Sequence, residues 1–190
     1  MKRYVIVGGV AGGMSAAARL RRLDAESEIV VLEKSGHVSY ANCGLPYFVG
    51  GVIQNEESLF LQSPESLYQR FRLDVRVGAE VTSIDRTNKV LSYTQGGTAY
   101  QLSYEKLVLS PGAAPIRPKL PGIDRALSLR NVEDVQAMDQ AISHHPRSAA
   151  IVGGGFIGVE LAENLRLRGI ATSVGSSGSR NGNPCRRRNS

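Results

Sequence analysis

Cys43 lies in SYANCGLPYF, residues 39–48, and is the only cysteine before position 185. Two cysteines so far apart make no disulfide framework. A lone, buried-looking thiol points to a reducing compartment and to chemistry, the competing reading being a small core residue. Two glycine-rich turns carry a second kind of chemistry. GGGFIG, residues 153–158, sets Gly153, Gly155 and Gly158 in the G-x-G-x-x-G register; GGVAGG, residues 8–13, keeps Gly8 and Gly13 in register but has Val10 at the middle position. Such a turn delivers a strand to a helix N-terminus, where free N–H groups and the helix dipole favour a pyrophosphate and glycine permits close approach. Glu33, 20 residues beyond Gly13, stands where a strand-end acid meets a ribose 2′-hydroxyl. Without a ligand the same residues would be a tight strand–helix turn and a solvated carboxylate. Two such turns, 145 residues apart and in the same context, favour the ligand.

The elements around these residues have the required periods. RYVIVG (3–8) and EIVVLE (28–33) are β-branched runs of the buried parallel-strand type, and GMSAAARLRRL (13–23) between them reads as a helix. This is a β-α-β unit of a doubly wound α/β domain. Residues 64–71 read as a helix capped by Ser63 with Pro64 at its first position. From 74 to 104 the runs DVRVGAEVTSID, KVLSYT and TAYQLSY, joined at Thr87-Asn88 and Gly96-Gly97, predict an antiparallel meander. KLVLSPGA (106–113) returns to the buried-strand pattern and stops at Pro-Gly. A proline-rich link (115–122), a helix around 131–143 and a second strand, glycine turn and helix (149–169) follow. The expected divisions are a first nucleotide-binding domain over 1–114, a linker and helix over 115–147, the start of a second such domain over 148–174, and a tail over 175–190.

Composition narrows the function classes. At 190 residues, 42% hydrophobic and 21% charged, the chain is of soluble globular type. Its net charge of +6 belongs to the tail: four of the arginines fall in 175–190 with no acid, which leaves 19 basic against 17 acidic groups in the body. With neither aromatic interleaving nor a known module, a nucleic-acid partner is not expected. The opening MKRYVIVGGVAGGMSAAA imitates a signal peptide, but four glycines break its apolar run, and no run of 18 apolar residues exists to span a membrane. A cytoplasmic location is expected. The tail, GSSGSRNGNPCRRRNS, has no acid and no apolar period where the next strand, beginning near Ile170, should end in the residue that selects NADH or NADPH. A flexible tail is one reading; a reading-frame change near residue 174, which would leave Cys185 and the arginine run without function, is the preferred one.

Two dinucleotide turns, SYANCGLPY between them and SYEKLVLSPGAAP before the second together resemble the FAD-dependent pyridine nucleotide-disulfide oxidoreductases. The likeness runs over residues 1–174 and is nearest to the single-cysteine branch: coenzyme A-disulfide reductases, NADH-dependent persulfide reductases, and NADH oxidases and peroxidases. It implies an α/β fold, a three-layer FAD-binding Rossmann-like domain with an antiparallel meander followed by the first βα unit of an NAD(P)-binding Rossmann domain. By that resemblance Gly8, Gly9, Val10, Ala11, Gly12, Gly13, Glu33, Lys34, Val81, Pro111, Gly112 and Ala113 would hold FAD. Gly153, Gly155, Phe156, Ile157, Gly158 and Glu160 would hold NADH or NADPH, and Cys43 would be the redox nucleophile. Two-cysteine relatives pair within C-x4-C; here that position is Val38, so the partner of Cys43 would come from outside, as a bound thiol or as the oxygen of a sulfenic acid.

The oxidases and peroxidases of the group place a histidine inside the first glycine turn, where this chain has Ala11. The resemblance therefore points to coenzyme A disulfide, or another low-molecular-weight disulfide or persulfide, held by Ser15, Arg19, Arg22, Ser39 and Asn42. Arg19 and Arg22, three apart on one helix, could reach one phosphate, or could be ordinary surface arginines. The family's basic side chain on the later helix is replaced by Phe71, between Arg70 and Arg72. Disulfide exchange needs the thiolate, which a helix N-terminus favours, and GLPYFV after Cys43 reads as the start of a short helix. The family implies a homodimer and a longer chain, so no steady-state turnover is expected from these 190 residues. A non-catalytic product with weak or no nucleotide binding is the alternative from another class.

Overall fold

The computed structural model describes residues 2–175, and the expectations for the rest of the tail lie outside them. Four short strands form a parallel sheet in the order β3-β2-β1-β7: β1 (Arg3–Val7), β2 (Glu28–Leu32), β3 (Leu73–Arg76) and β7 (Lys106–Leu109). β1 lies inside, pairing Ile6 with Val31 of β2 and Val5 with Leu107 of β7. Their continuous apolar runs follow from burial on both faces. On one face Ile6, Ile29 and Val31 pack with Met14 and Ala17 of α1 (Ala11–Leu23), with Leu67 of α3 (Pro64–Phe71) and with Leu73. On the other, Val5, Val30 and Leu32 pack with Ala79, Leu91, Tyr93 and Leu102 of the meander β4 (Ala79–Asp85), β5 (Val90–Gln95) and β6 (Thr98–Ser103). The result is three layers: helices, parallel sheet, antiparallel sheet. Burying each isoleucine there contributes about 1.5–3 kcal/mol.

Local chemistry sets the boundaries. α3 begins at Pro64, with Ser63 and Ser66 forming a reciprocal cap, and ends at Arg72, whose φ is +51°. Residues 74–85, expected as one alternating strand, are divided. Gly78 (φ +64°) turns the chain, so that β3 joins the edge of the parallel sheet, Ile29 opposite Leu73, while β4 opens the meander. An edge strand of the parallel sheet is only half covered, so its alternation looks like that of the strand after it.

Chain contacts divide the molecule into two units, Met1–Asn42 with Asn55–Ser128, and Cys43–Gln54 with the chain from Leu129 onward. In the second unit, β8 (Ser148–Val152) and β9 (Ala171–Gly175) pair in parallel on either side of α5 (Phe156–Leu167). β9 thus starts beside Ile170, where the next strand was expected. α4 (Val132–Ser143) is capped by Asn131 Oδ1, which accepts from the Asp134 amide at 2.9 Å. The five-residue α2 (Leu45–Val49) packs with α4 and α5.

Candidate functional site

The first glycine turn joins β1 to α1. Gly8 has φ +101°, and a Cβ there would strike the carbonyl of Ser110; a Cβ at Gly13 would strike the carbonyl of Gly8. The turn is thus tight against itself and against the end of β7, where the Ser110 amide donates to Val7 O at 2.8 Å. Pro111, Gly112 and Ala113 follow directly and are exposed. α1 has Val10 at its N-cap, no side-chain cap and no acid in its first turn, so the amides of Ala11, Gly12 and Gly13 have no side-chain acceptor in the cap. An anion is the group that such an end accepts.

Glu33 stands at the end of β2 beside this turn. Its carboxylate accepts from the Gly9 amide at 2.6 Å and the Ser35 amide at 2.8 Å. Lys34 pairs with Glu80 on β4 at 2.6 Å, next to Val81. The Ser39 amide donates to Gly9 O at 3.0 Å, and Ser39 takes a left-handed φ of +49°. The first unit therefore brings together the 8–13 turn, Glu33, Ser39 and the start of 111–113. Ser15, Arg19 and Arg22 are exposed at spacings of four and three, one face of α1. Phe71 packs on the core below α1, with the Arg70 guanidinium over its ring.

The second turn, in the other unit, repeats the first. Gly153 has φ +122°, its amide donates to Gly175 O at 2.7 Å, and a Cβ at Gly158 would strike Gly153 O. α5 starts after Gly155 with no side-chain cap and no acid in its first turn. Phe156 and Ile157 are exposed there, and Glu160 is half-buried. Cys43 belongs to this unit as well. It sits in the 3-10 turn Asn42–Gly44 that runs into α2, and Asn42 beside it is exposed. Its thiol is free and exposed, which corrects the buried appearance of the sequence and removes the core reading.

Residues 2–179 match the family described as pyridine nucleotide-disulphide oxidoreductase. The chain belongs to that family. Among curated relatives of this chain are the coenzyme A disulfide reductases of Staphylococcus haemolyticus, 37% identical over 92% of the chain and 40% of the relative, and of Staphylococcus epidermidis, 38% identical over 90% and 39%. Among solved structures, reduced CoADR-RHD of Bacillus anthracis aligns with a TM-score of 0.89 at 46% identity, covering 92% of this chain and 32% of that one. The NAD-dependent persulfide reductase of A. fulgidus gives 0.87 at 32%, covering 90% and 33%. The chain thus spans about two fifths of the length of the curated relatives it matches.

Within this family member, residues that the sequence did not single out hold the candidates in place. Arg21, between the two arginines chosen as ligands, donates to the carbonyls of Asp24, Ala25, Ser27, Phe71 and Arg72 at 2.8–3.0 Å. Only the half-buried position of Arg21 on α1, one residue off the exposed face, distinguishes it from its neighbours. No cluster of metal-ligating side chains occurs among the described residues, and no described helix is long and apolar enough to cross a membrane.

Proposed function

We propose that this chain carries the flavin turn, the redox thiol and the first nicotinamide turn of an NAD(P)H- and FAD-dependent reductase of coenzyme A disulfide or a related low-molecular-weight disulfide or persulfide. The observation that carries this reading is the free, exposed thiol of Cys43 in a chain whose two glycine turns both end in uncapped helix N-termini. The named activities of the relatives agree with it, and Ala11 offers no ionisable group to support a sulfenic acid.

The residues present fit both nucleotides. Gly8 to Gly13 leave an anion access to the start of α1, and Glu33, already holding Gly9 and Ser35, has lone pairs left for a ribose hydroxyl. Gly153 to Gly158 do the same at α5. Bound at the first turn, the flavin supplies a two-electron relay between a nicotinamide and sulfur. The chain's own step is thiol exchange. The Cys43 thiolate attacks one sulfur of a disulfide, a Cys43–sulfur bond forms, the substrate S–S bond breaks, and one substrate thiolate leaves. Ser15, Arg19 and Arg22 present a hydroxyl and two guanidinium groups on one face of α1, the donors a nucleotide phosphate takes.

The test is a mass spectrum of the chain, with Cys185 changed to Ser, after incubation with coenzyme A disulfide. One coenzyme A on Cys43, absent in Cys43→Ser, is the expected result, together with flavin absorbance near ~450 nm in the purified protein. A chain that takes up no coenzyme A, and whose Cys43 alkylates no faster than free cysteine, would sink the proposal.

A further inference from the structure

The segment that carries Cys43 is fastened at its far end. Arg168, directly after α5, donates from Nη1 to Val49 O at 3.1 Å and to Asp139 Oδ1 of α4 at 3.1 Å. Val49 is the last residue of α2, so its carbonyl is one of those a helix end leaves without an internal partner. One cation thus satisfies the end of α2 and ties it to both longer helices. One turn back on α5, Asn164 is 3% exposed. Its Nδ2 donates to Glu160 O at 2.8 Å, and its Oδ1 has no hydrogen-bond donor among the described residues. That oxygen faces Gly50, where a Cβ would collide with it. Leaving an amide oxygen buried in this way is costly, and what it accompanies is close approach of the α2 end to α5.

A helix of five residues does not hold its own shape in water. The placement of Cys43, in the 3-10 turn continuous with α2, therefore depends on what α2 docks against. Leu45 and Val49 are buried, which supplies adhesion without direction; Arg168 and the Asn164–Gly50 contact supply direction. α5 carries the second glycine turn before its first residue and this fastening at its last turn.

We propose that Arg168, seated on Asp139 and backed by the Asn164–Gly50 contact, is a positioning residue for the Cys43 thiol. The role rests on the reading of Cys43 as the nucleophile. It acts through the backbone of α2, with no contact between Arg168 and the reacting sulfur.

The test uses the full 190-residue chain with Cys185→Ser, so that Cys43 is its one thiol. Arg168→Ala, Arg168→Lys and, as a control on the same helix, Arg166→Ala are compared by amide hydrogen exchange and by the pH profile of Cys43 alkylation with iodoacetamide. The amides of Gly50, Gly51 and Val52, which donate to Pro46, Phe48 and Tyr47 carbonyls, report the segment. In Arg168→Ala their exchange is expected to rise about tenfold while that of α4 and α5 is kept, and the alkylation profile to shift with a rate change of about threefold. Arg168→Lys restores most of both, and Arg166→Ala changes neither. Gly50→Ala, which keeps Arg168 but drives the segment off Asn164, is expected to reproduce the signature. Unchanged exchange and alkylation in Arg168→Ala overturn the proposal. So does faster exchange throughout α4 and α5 with an unchanged alkylation profile, since that marks a general structural role. The exchange pattern appearing in Arg168→Ala, while the chain with Arg168 in place forms no coenzyme A adduct, overturns the functional reading alone.

Discussion

Gly8 and Gly12 lie four residues apart, yet the structure gives them opposite sensitivities. Gly8 combines φ +101° with a carbonyl in the space a side chain would need, so Gly8→Ala is expected to destabilise the chain by about 3 kcal/mol, read as a lower urea midpoint. Gly12 lies within α1, and a Cβ there meets Ser110 Oγ at an ordinary 3.5 Å. Alanine is a better helix former than glycine by about 1 kcal/mol, so Gly12→Ala should fold as well as the wild type or better. If the proposed flavin site is right, it should nevertheless bind FAD more weakly, because the added methyl would stand where a pyrophosphate would approach the α1 amides. Flavin titration beside the urea melt separates the two effects. Equal FAD affinity in Gly12→Ala would mean that the pyrophosphate does not use this face.

At the scale of the element, the end of α1 is built from side chains that satisfy backbone groups. Asp24 follows the helix and accepts from the Ser27 hydroxyl, the Ser27 and Glu26 amides, and Tyr4. The Ser27 hydroxyl first, then its amide, lower the Asp24 pKa from 3.8 to about 2. A depressed carboxylate pKa adds stability that is complete above the unfolded value and disappears as pH falls through the folded one. Thermal unfolding should therefore lose a contribution between about pH 4 and pH 2 that Asp24→Asn lacks; parallel pH profiles in the two proteins would contradict this. Arg21 closes the same corner from the other side. Its planar fork reaches five carbonyls, a geometry one ammonium cannot reproduce, so Arg21→Lys should cost about 2 kcal/mol by urea melt. Arg22→Ala, on the exposed face, should cost almost nothing.

Over the whole molecule the two units differ in how their apolar surface is covered. In the first, both faces of the parallel sheet are packed, one by α1 and α3 and one by the meander. In the second, β8 and β9 form a two-stranded sheet among the described residues, and Phe156 (93% exposed), Ile157, Val159 and Leu167 stand in solvent on α5. Exposed apolar groups gathered on one element favour association. The chain is expected to elute later on dilution in size-exclusion chromatography, and to bind the dye ANS in its native state. A concentration-independent monomer without dye binding would show that this surface is too dispersed to associate.

Much of the arrangement was legible in the residues because it is local. β-branched runs, the two glycine registers, Ser63 before Pro64 and Gly96-Gly97 each specify a strand, turn or cap from neighbours within a few positions, and each element formed where its pattern stood. Gly78 shows the limit: alternation on its two sides is the same, and only packing decides that β3 enters the parallel sheet while β4 enters the meander. The exposure of Cys43 could not be read from its apolar neighbours, because Leu45, Pro46 and Val49 turn inward while the 3-10 turn before them stays outside. Nor could the contact of Arg168 with Val49, 119 residues away in sequence. Periodicity tells a residue which face it occupies; which distant carbonyl lies opposite that face is settled by the packing of helices, and so belongs to the tertiary structure.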